Sequence, residues 1–241
     1  MGKISYQFIL LSLFTLLVFS ALIKLGMWQL NRAQEKEVRI EQMAIWQQQG
    51  GVSLSEANKI FEQTPQIAND LLVFDKGRFT KHPVFLLDNQ VSDGQFGFRA
   101  LQVFNVNNQH VLVNLGWIPG DRSRQTMPNV LAIAGEYSIK GTLRIVEPGI
   151  TLKSMELKEN NGHVLIQQIE LEKISRLINE QLLPFVFYLD KNEDIGYKKN
   201  WQPIVMPPEK HRGYAFQWFS LAVAWLTLMG FAARKYKNNK A

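Results

Sequence analysis

The sequence predicts an α+β membrane protein: two transmembrane helices, N- and C-terminal, flanking one mainly antiparallel β-sheet or barrel domain with a packed helix. Three observations predict it. Residues 4–23 and 213–233 are uncharged runs of 20 and 21 residues. The stretch between them breaks into short segments rich in Val, Ile, Phe and Tyr, separated by turn dipeptides. The surplus of positive charge lies around the two uncharged runs and not between them.

The first run centres on FILLSLFTLLVFSALI. As a helix it is about 30 Å long, the thickness of a hydrocarbon core. A cleaved secretory signal is the competing reading, since Val18 and Ser20 are small or short residues placed before Ala21. The thin basic n-region and a helical register that continues through Lys24, Met27 and Trp28 favour a retained span. Beyond it, WQLNRAQEKEVRIEQMAIWQQQ (28–49) is polar and has no Gly or Pro before Gly50-Gly51, so the helix is expected to continue out of the membrane. Ser53-Leu54-Ser55-Glu56 is a capping box that starts a short helix to about Gln63, ended before Pro65.

From Leu71 the period changes to that of strands. The runs are LLVFDKGRF, HPVFLLDNQV, FGFRALQVFNV, HVLVNLGWI, EYSIKGTLRIV and FVFYLD, punctuated by Asp93-Gly94, Asn107-Asn108 and Pro148-Gly149. Residues 102–106 and 111–115 form a hairpin across Asn107-Asn108. One helix, over about 167–181, interrupts the series, with Ile169, Ile174, Leu177 and Ile178 at helical spacing and Pro184 beyond its end. The second apolar run contains FQWFSLAVAWLTLMGFAA, has Tyr214, Trp218, Phe219 and Tyr236 as interfacial anchors, and stops at Arg234-Lys235. The expected divisions are 1–26 and 213–233 as spans, 27–212 as the β-rich domain and 234–241 as a basic tail.

The 27 Lys and Arg outnumber the 21 Asp and Glu by six, which on a folded face would suggest a nucleic-acid partner. All 21 acidic residues lie between Glu35 and Glu209, and 21 of the basic residues lie in nearly the same interval, from Arg32 to Arg212. The unbalanced cations are Lys3, Lys24, Arg234, Lys235, Lys237 and Lys240, so the partner implied is a lipid bilayer and not nucleic acid. Lys and Arg near the spans number five in the tails and eight at the ends of the loop. Taken literally this puts the loop in the cytoplasm, but the rule loses force for loops longer than about 60 residues, and charge leaves the orientation open.

Chemistry-bearing motifs are missing. The chain has no cysteine, no GxxxxGK[ST], no GxGxxG after a strand, no HExxH and no GxSxG. His82, His110, His163 and His211 are far apart in sequence, and Asp88 and Asp93 read as turn residues. No enzymatic activity is expected.

The informative residues lie where the loop meets the spans. Leu25, Gly26, Trp28, Gln29, Leu30, Arg32 and Lys36 stand at one end; His211, Tyr214, Ala215, Gln217, Trp218, Phe219 and Ala222 stand at the other. Between them, Val113, Asn114, Gly116, Trp117 and Pro119 form a strand and turn. In order, these resemble the LGxWQLxR…K, vNRGWxP and HxxYAxQWFxxA signatures of the surfeit-locus-one proteins, membrane factors that assist assembly of haem-copper cytochrome oxidase. The resemblance spans the chain. It departs at Leu115, where the family has arginine, and this puts a cation's role at that turn in doubt.

The resemblance implies a bacterial inner-membrane protein with both termini cytoplasmic and the large domain periplasmic. It implies the oxidase catalytic subunit and other assembly factors as partners, and haem a as a cofactor. His211 is then the candidate axial ligand of the haem iron, Arg212 and Arg32 (with Lys210) candidate partners of the propionates, and Trp218 a candidate stacking surface. Two alternatives stand beside this. His211, Trp28 and Trp218 also suit ordinary membrane-interface positions, and the protein as a haem-free scaffold would hold the oxidase subunit by helix packing, for which Ala222, Ala224, Gly230, Ala232 and Ala233 are small enough. An unrelated outer-face sensor is the third reading.

Overall fold

The computed structural model describes residues 6–121, 127–146, 158–160 and 163–238. The Pro148-Gly149 turn, Lys3 and Lys240 lie outside the described residues. The chain divides into two compact units, 42–203 and the paired segments 1–41 and 204–241.

Between its long terminal helices, α1 (Tyr6–Gln48) and α5 (Pro208–Asn238), the chain forms α2 (Leu54–Gln63), α3 (Pro65–Ala68), β1 (Leu72–Phe79), β2 (Val84–Ser92), β3 (Gln95–Val106), β4 (Gln109–Pro119), β5 (Gly135–Ile145), β6 (Lys158–Asn160), β7 (His163–Ile166), α4 (Leu171–Ile178) and β8 (Leu182–Leu189). The capping box works as the sequence implies: the Ser53 side chain accepts from Glu56 N at 3.2 Å and α2 starts at Leu54.

The sheet runs β1-β5-β8-β4-β3-β2-β7-β6, and β1 also pairs with β3, so five strands close into a barrel. Closure depends on β3 being 12 residues long. Its first part pairs with β2, and its last part reaches β1 through Arg78↔Asn105 and Phe79↔Phe104. The β3–β4 hairpin turns at Asn107 and Asn108, both at positive φ (48° and 66°), the primed-turn geometry that Asn tolerates. Most pairings are antiparallel, but β8 runs parallel to β4 and β7 parallel to β2.

The alternation of each strand divides its side chains between two cores. Inside the barrel are Phe79, Phe98, Phe104, Val113, Leu115, Phe185 and Phe187. On its outer side Leu101, Val103, Leu112 and Val186 pack with Ile174 and Ile178 of α4. Strands buried on both faces lose the polar alternation, which is why β4 and β8 read as nearly continuous apolar runs.

Helix α4 covers eight residues, fewer than the periodicity suggests. Glu170 sits at φ −118°, ψ 90°, outside the helical region, and Asn179 adopts a left-handed conformation that ends the helix. The apolar residues on either side belong to the flanking segments that pack on the same outer core. Strands β6 and β7, which the sequence reading passed over, extend the sheet beyond β2.

Candidate functional site

The terminal helices invert the barrel's arrangement. Leu13, Phe14, Leu16 and Leu17 of α1 are 55–67% exposed, and no residue of its most apolar window is buried. In water such a surface is unfavourable in proportion to its apolar area; in lipid it is not. Both helices are long and apolar enough to cross a membrane, and they support a membrane association of the protein.

The two helices run antiparallel. Phe8 stacks on Tyr236, Trp225 Nε1 donates to the Thr15 carbonyl at 3.2 Å, and Gln29 meets His211. Their approach is close at Gly26, where a Cβ would fall within 2.8 Å of three atoms of the Phe219 ring. On α5 the residues His211, Ala215 and Ala222 are buried and recur at intervals of four and seven, one face of a helix. On α1 the buried Gly26 and Ala33 flank Gln29 at intervals of three and four.

His211 lies on that face, 8% exposed. Its Nδ1 is 2.7 Å from Gln29 Oε1. A carboxamide oxygen only accepts, so in a neutral ring this contact pairs it with a proton on Nδ1 and leaves the lone pair on Nε2. Nε2 has no hydrogen-bond partner among the described residues and is not enclosed. The arrangement is that of an imidazole oriented by one nitrogen and available at the other.

The other residues singled out from the sequence are placed differently. Arg212 is ion-paired with Glu37, and Arg32 with Glu35 at 2.7 Å while its guanidinium lies 5.8 Å over the Trp28 ring. Trp218 is half-buried and follows His211 by seven residues, two turns or about 10 Å along the same face. Thus His211 meets Gln29 and each arginine meets a glutamate, whereas Trp218 stands two turns away. Gln29 and Glu37 were not assigned roles from the sequence. The signal for Gln29 is its register: a polar side chain between two small buried ones on the contact face.

The third signature forms a turn on the barrel. Asn114 Oδ1 accepts from Gly116 N at 2.9 Å and shifts the β3–β4 register by one residue. Gly116 holds φ +120°, and a Cβ there would meet the Tyr197 backbone at 2.7 Å, so glycine is required. Leu115, at the family's arginine position, is wholly buried in the barrel core. A cation nevertheless attends this turn. Lys198 Nζ lies 5.6 Å over the Trp117 ring and 2.5 Å from Asp93 Oδ2, while Trp117 Nε1 donates to Gln90 O at 3.0 Å. The hydrogen bond and charge of Lys198, with a further bond from Ser92, hold the Asp93 carboxyl below its ordinary range. Burial pushes the neighbouring Tyr197 phenol up.

Two apolar helices, a closed five-stranded barrel and a packed helix define an α+β protein of the membrane-associated class. The family model of the SURF1 family matches residues 16–223, and the chain belongs to the SURF1 family. This is an assembly-factor family associated with cytochrome oxidase, a role that implies interaction with oxidase subunits. Comparison with curated proteins gives no match.

Proposed function

We propose that this protein binds haem a through His211 and presents it to the nascent catalytic subunit of a haem-copper cytochrome oxidase, without catalysing a bond change. The observation that carries the reading is the placement of His211: its Nδ1 lies 2.7 Å from Gln29 Oε1, which leaves Nε2 as the ring nitrogen for a metal. A haem needs one such axial nitrogen from the protein, so the donor set fits. When bound, haem a supplies an iron that accepts the imidazole lone pair, an amphiphilic ring and two carboxylates.

The chain's own residues do the rest. Gln29 keeps the ring of His211 from turning. Arg212 and Arg32 lie on the same side of the spans in sequence and offer planar donors to carboxylates. Each would exchange a glutamate for a propionate. Because both ion pairs are about half exposed, the exchange costs no more than about 1 kcal/mol per pair. Trp218, deeper along α5, offers an aromatic face to the ring.

The reading includes a bacterial inner-membrane location, with 1–26 and 213–233 embedded, 27–212 periplasmic, and both termini, including 234–241, cytoplasmic. Alkaline phosphatase inserted in the loop should be active; an inactive but well-expressed fusion reverses the orientation. For the cofactor, the test is a His211→Ala variant purified from a host that makes haem a. Loss of a stoichiometric haem spectrum is expected, and an unchanged spectrum removes His211 as ligand.

One observation favours a haem-free scaffold instead: both arginines are already neutralised by Glu35 and Glu37. Wild-type protein that carries no haem, with an oxidase subunit still co-purifying, would select that reading.

A further inference from the structure

We propose that Gln29 is the positioning residue of His211: its carbonyl oxygen fixes the imidazole as the Nδ1–H tautomer and so delivers Nε2 to a metal. The inference rests on the reading of His211 as a ligand, but its central claim concerns the metal-free chain.

A histidine side chain in water favours the proton on Nε2, the nitrogen farther from the backbone. That tautomer would set the lone pair of Nδ1 against the lone pairs of Gln29 Oε1 at 2.7 Å, and the contact would be kept only by turning the carboxamide over from the orientation it has here. The pair is part-buried on a helix face whose buried residues include Gly26, Ala33, Ala215 and Ala222. An unmet polar contact in such surroundings is unfavourable, and the hydrogen bond from Nδ1–H is correspondingly favoured. Gln29 is suited to this because it accepts without carrying charge. A carboxylate here would also draw the proton, but would put a negative charge between two apolar helices.

Among the described residues, no other side chain hydrogen-bonds the ring of His211. Glu37 and Glu35 are occupied by Arg212 and Arg32. The helix partner of Gln29 is 182 residues away in sequence, so the contact exists only when α1 and α5 are paired. Formation of the helix pair thereby switches His211 from its solution tautomer to the metal-ready one.

The test uses full-length protein in detergent micelles, without haem, labelled with ¹⁵N-histidine, with the His211 resonances identified by their loss in His211→Ala. At a pH where the ring is neutral, wild type should show Nδ1 protonated and Nε2 unprotonated. Gln29→Leu should shift the tautomer ratio toward Nε2–H by about tenfold or more, the equivalent of one hydrogen bond, and Gln29→Glu should retain the wild-type tautomer. Wild-type His211 protonated on Nε2 overturns the proposal without any variant, as does a Gln29→Leu spectrum unchanged from wild type. In protein from a haem-a-producing host, Gln29→Leu should lower haem retention about 10–100-fold, as loss of an outer-shell partner does. Gln29→Glu should restore it with a lower midpoint potential. A tautomer that responds in chains that never hold haem supports Gln29 and fails the haem reading; haem held equally by an unresponsive tautomer fails Gln29 and keeps the haem reading.

Discussion

The barrel and the helix pair meet the same requirement, that every buried backbone group be satisfied, in opposite ways. The barrel pairs its strands with one another until the ring closes through Phe79↔Phe104, and turns Phe104, Phe185 and Phe187 inward. The helices satisfy their backbones internally and turn Leu13, Leu16, Phe216 and Phe231 outward. The energetic consequences differ. Inside the barrel, stability comes from apolar volume removed from water, so it is sensitive to holes. Between the helices, where lipid is as apolar as the side chains, association depends on close approach at Gly26 and on polar contacts such as Gln29–His211.

The largest effect that separates the two is expected from Phe185→Ala. This ring is wholly buried and packs edge-on against Phe61 at 5.8 Å. Its loss should cost about 3–5 kcal/mol. In full-length protein in micelles, the near-UV signal and the protease resistance of residues 42–203 should melt at lower temperature while the far-UV helical signal persists. Helix and barrel signals falling together would mean that the two units are not energetically separate.

Gly26→Leu probes the other side of the comparison. The added side chain collides with the Phe219 ring, which must swing away and lose its seat. Overpacking of this kind costs about 1–3 kcal/mol. The expected readout is a lower SDS concentration for loss of helix pairing, with the barrel's near-UV spectrum intact. An unchanged midpoint would show that the helices do not depend on close contact there.

What could be read from the sequence follows the same division. The strands from Leu72 to Val106 were legible because alternation and the Asp93-Gly94 and Asn107-Asn108 turns are local signals. Closure of the barrel was not legible: it rests on two residue pairs between β1 and β3, strands separated in sequence by all of β2. Strand β7, only His163–Ile166, pairs in parallel with a distant β2, and four residues are too few to show an alternation of their own. Apolar period extends helix α4 beyond its true ends because it cannot register that Glu170 and Asn179 leave the helical region. At the site, the sequence offers roles for His211, Arg212, Arg32 and Trp218, but not the partners that meet them. Glu37 and Gln29 acquire their meaning only from a helix that arrives more than 170 residues later in the chain.

The smallest effect sharpens the comparison at the barrel's polar rim. Asp93 lies on the turn between β2 and β3, and Lys198, on the segment after β8, binds it while covering Trp117. Because the folded carboxyl is held below its ordinary value of 3.8, ionised Asp93 favours the folded state above that value, and the contribution is lost as pH falls through the lower, folded value. The pair is solvent-exposed, so the contribution should be slight and should shrink further with salt. A carboxyl ¹³C titration of the full chain in micelles should place the Asp93 midpoint below 3.8, and Lys198→Met should return it toward the ordinary value. A wild-type midpoint at or above 3.8 would show that Lys198 is not held at the turn, and that Trp117 meets the Leu115 departure without a cation beside it.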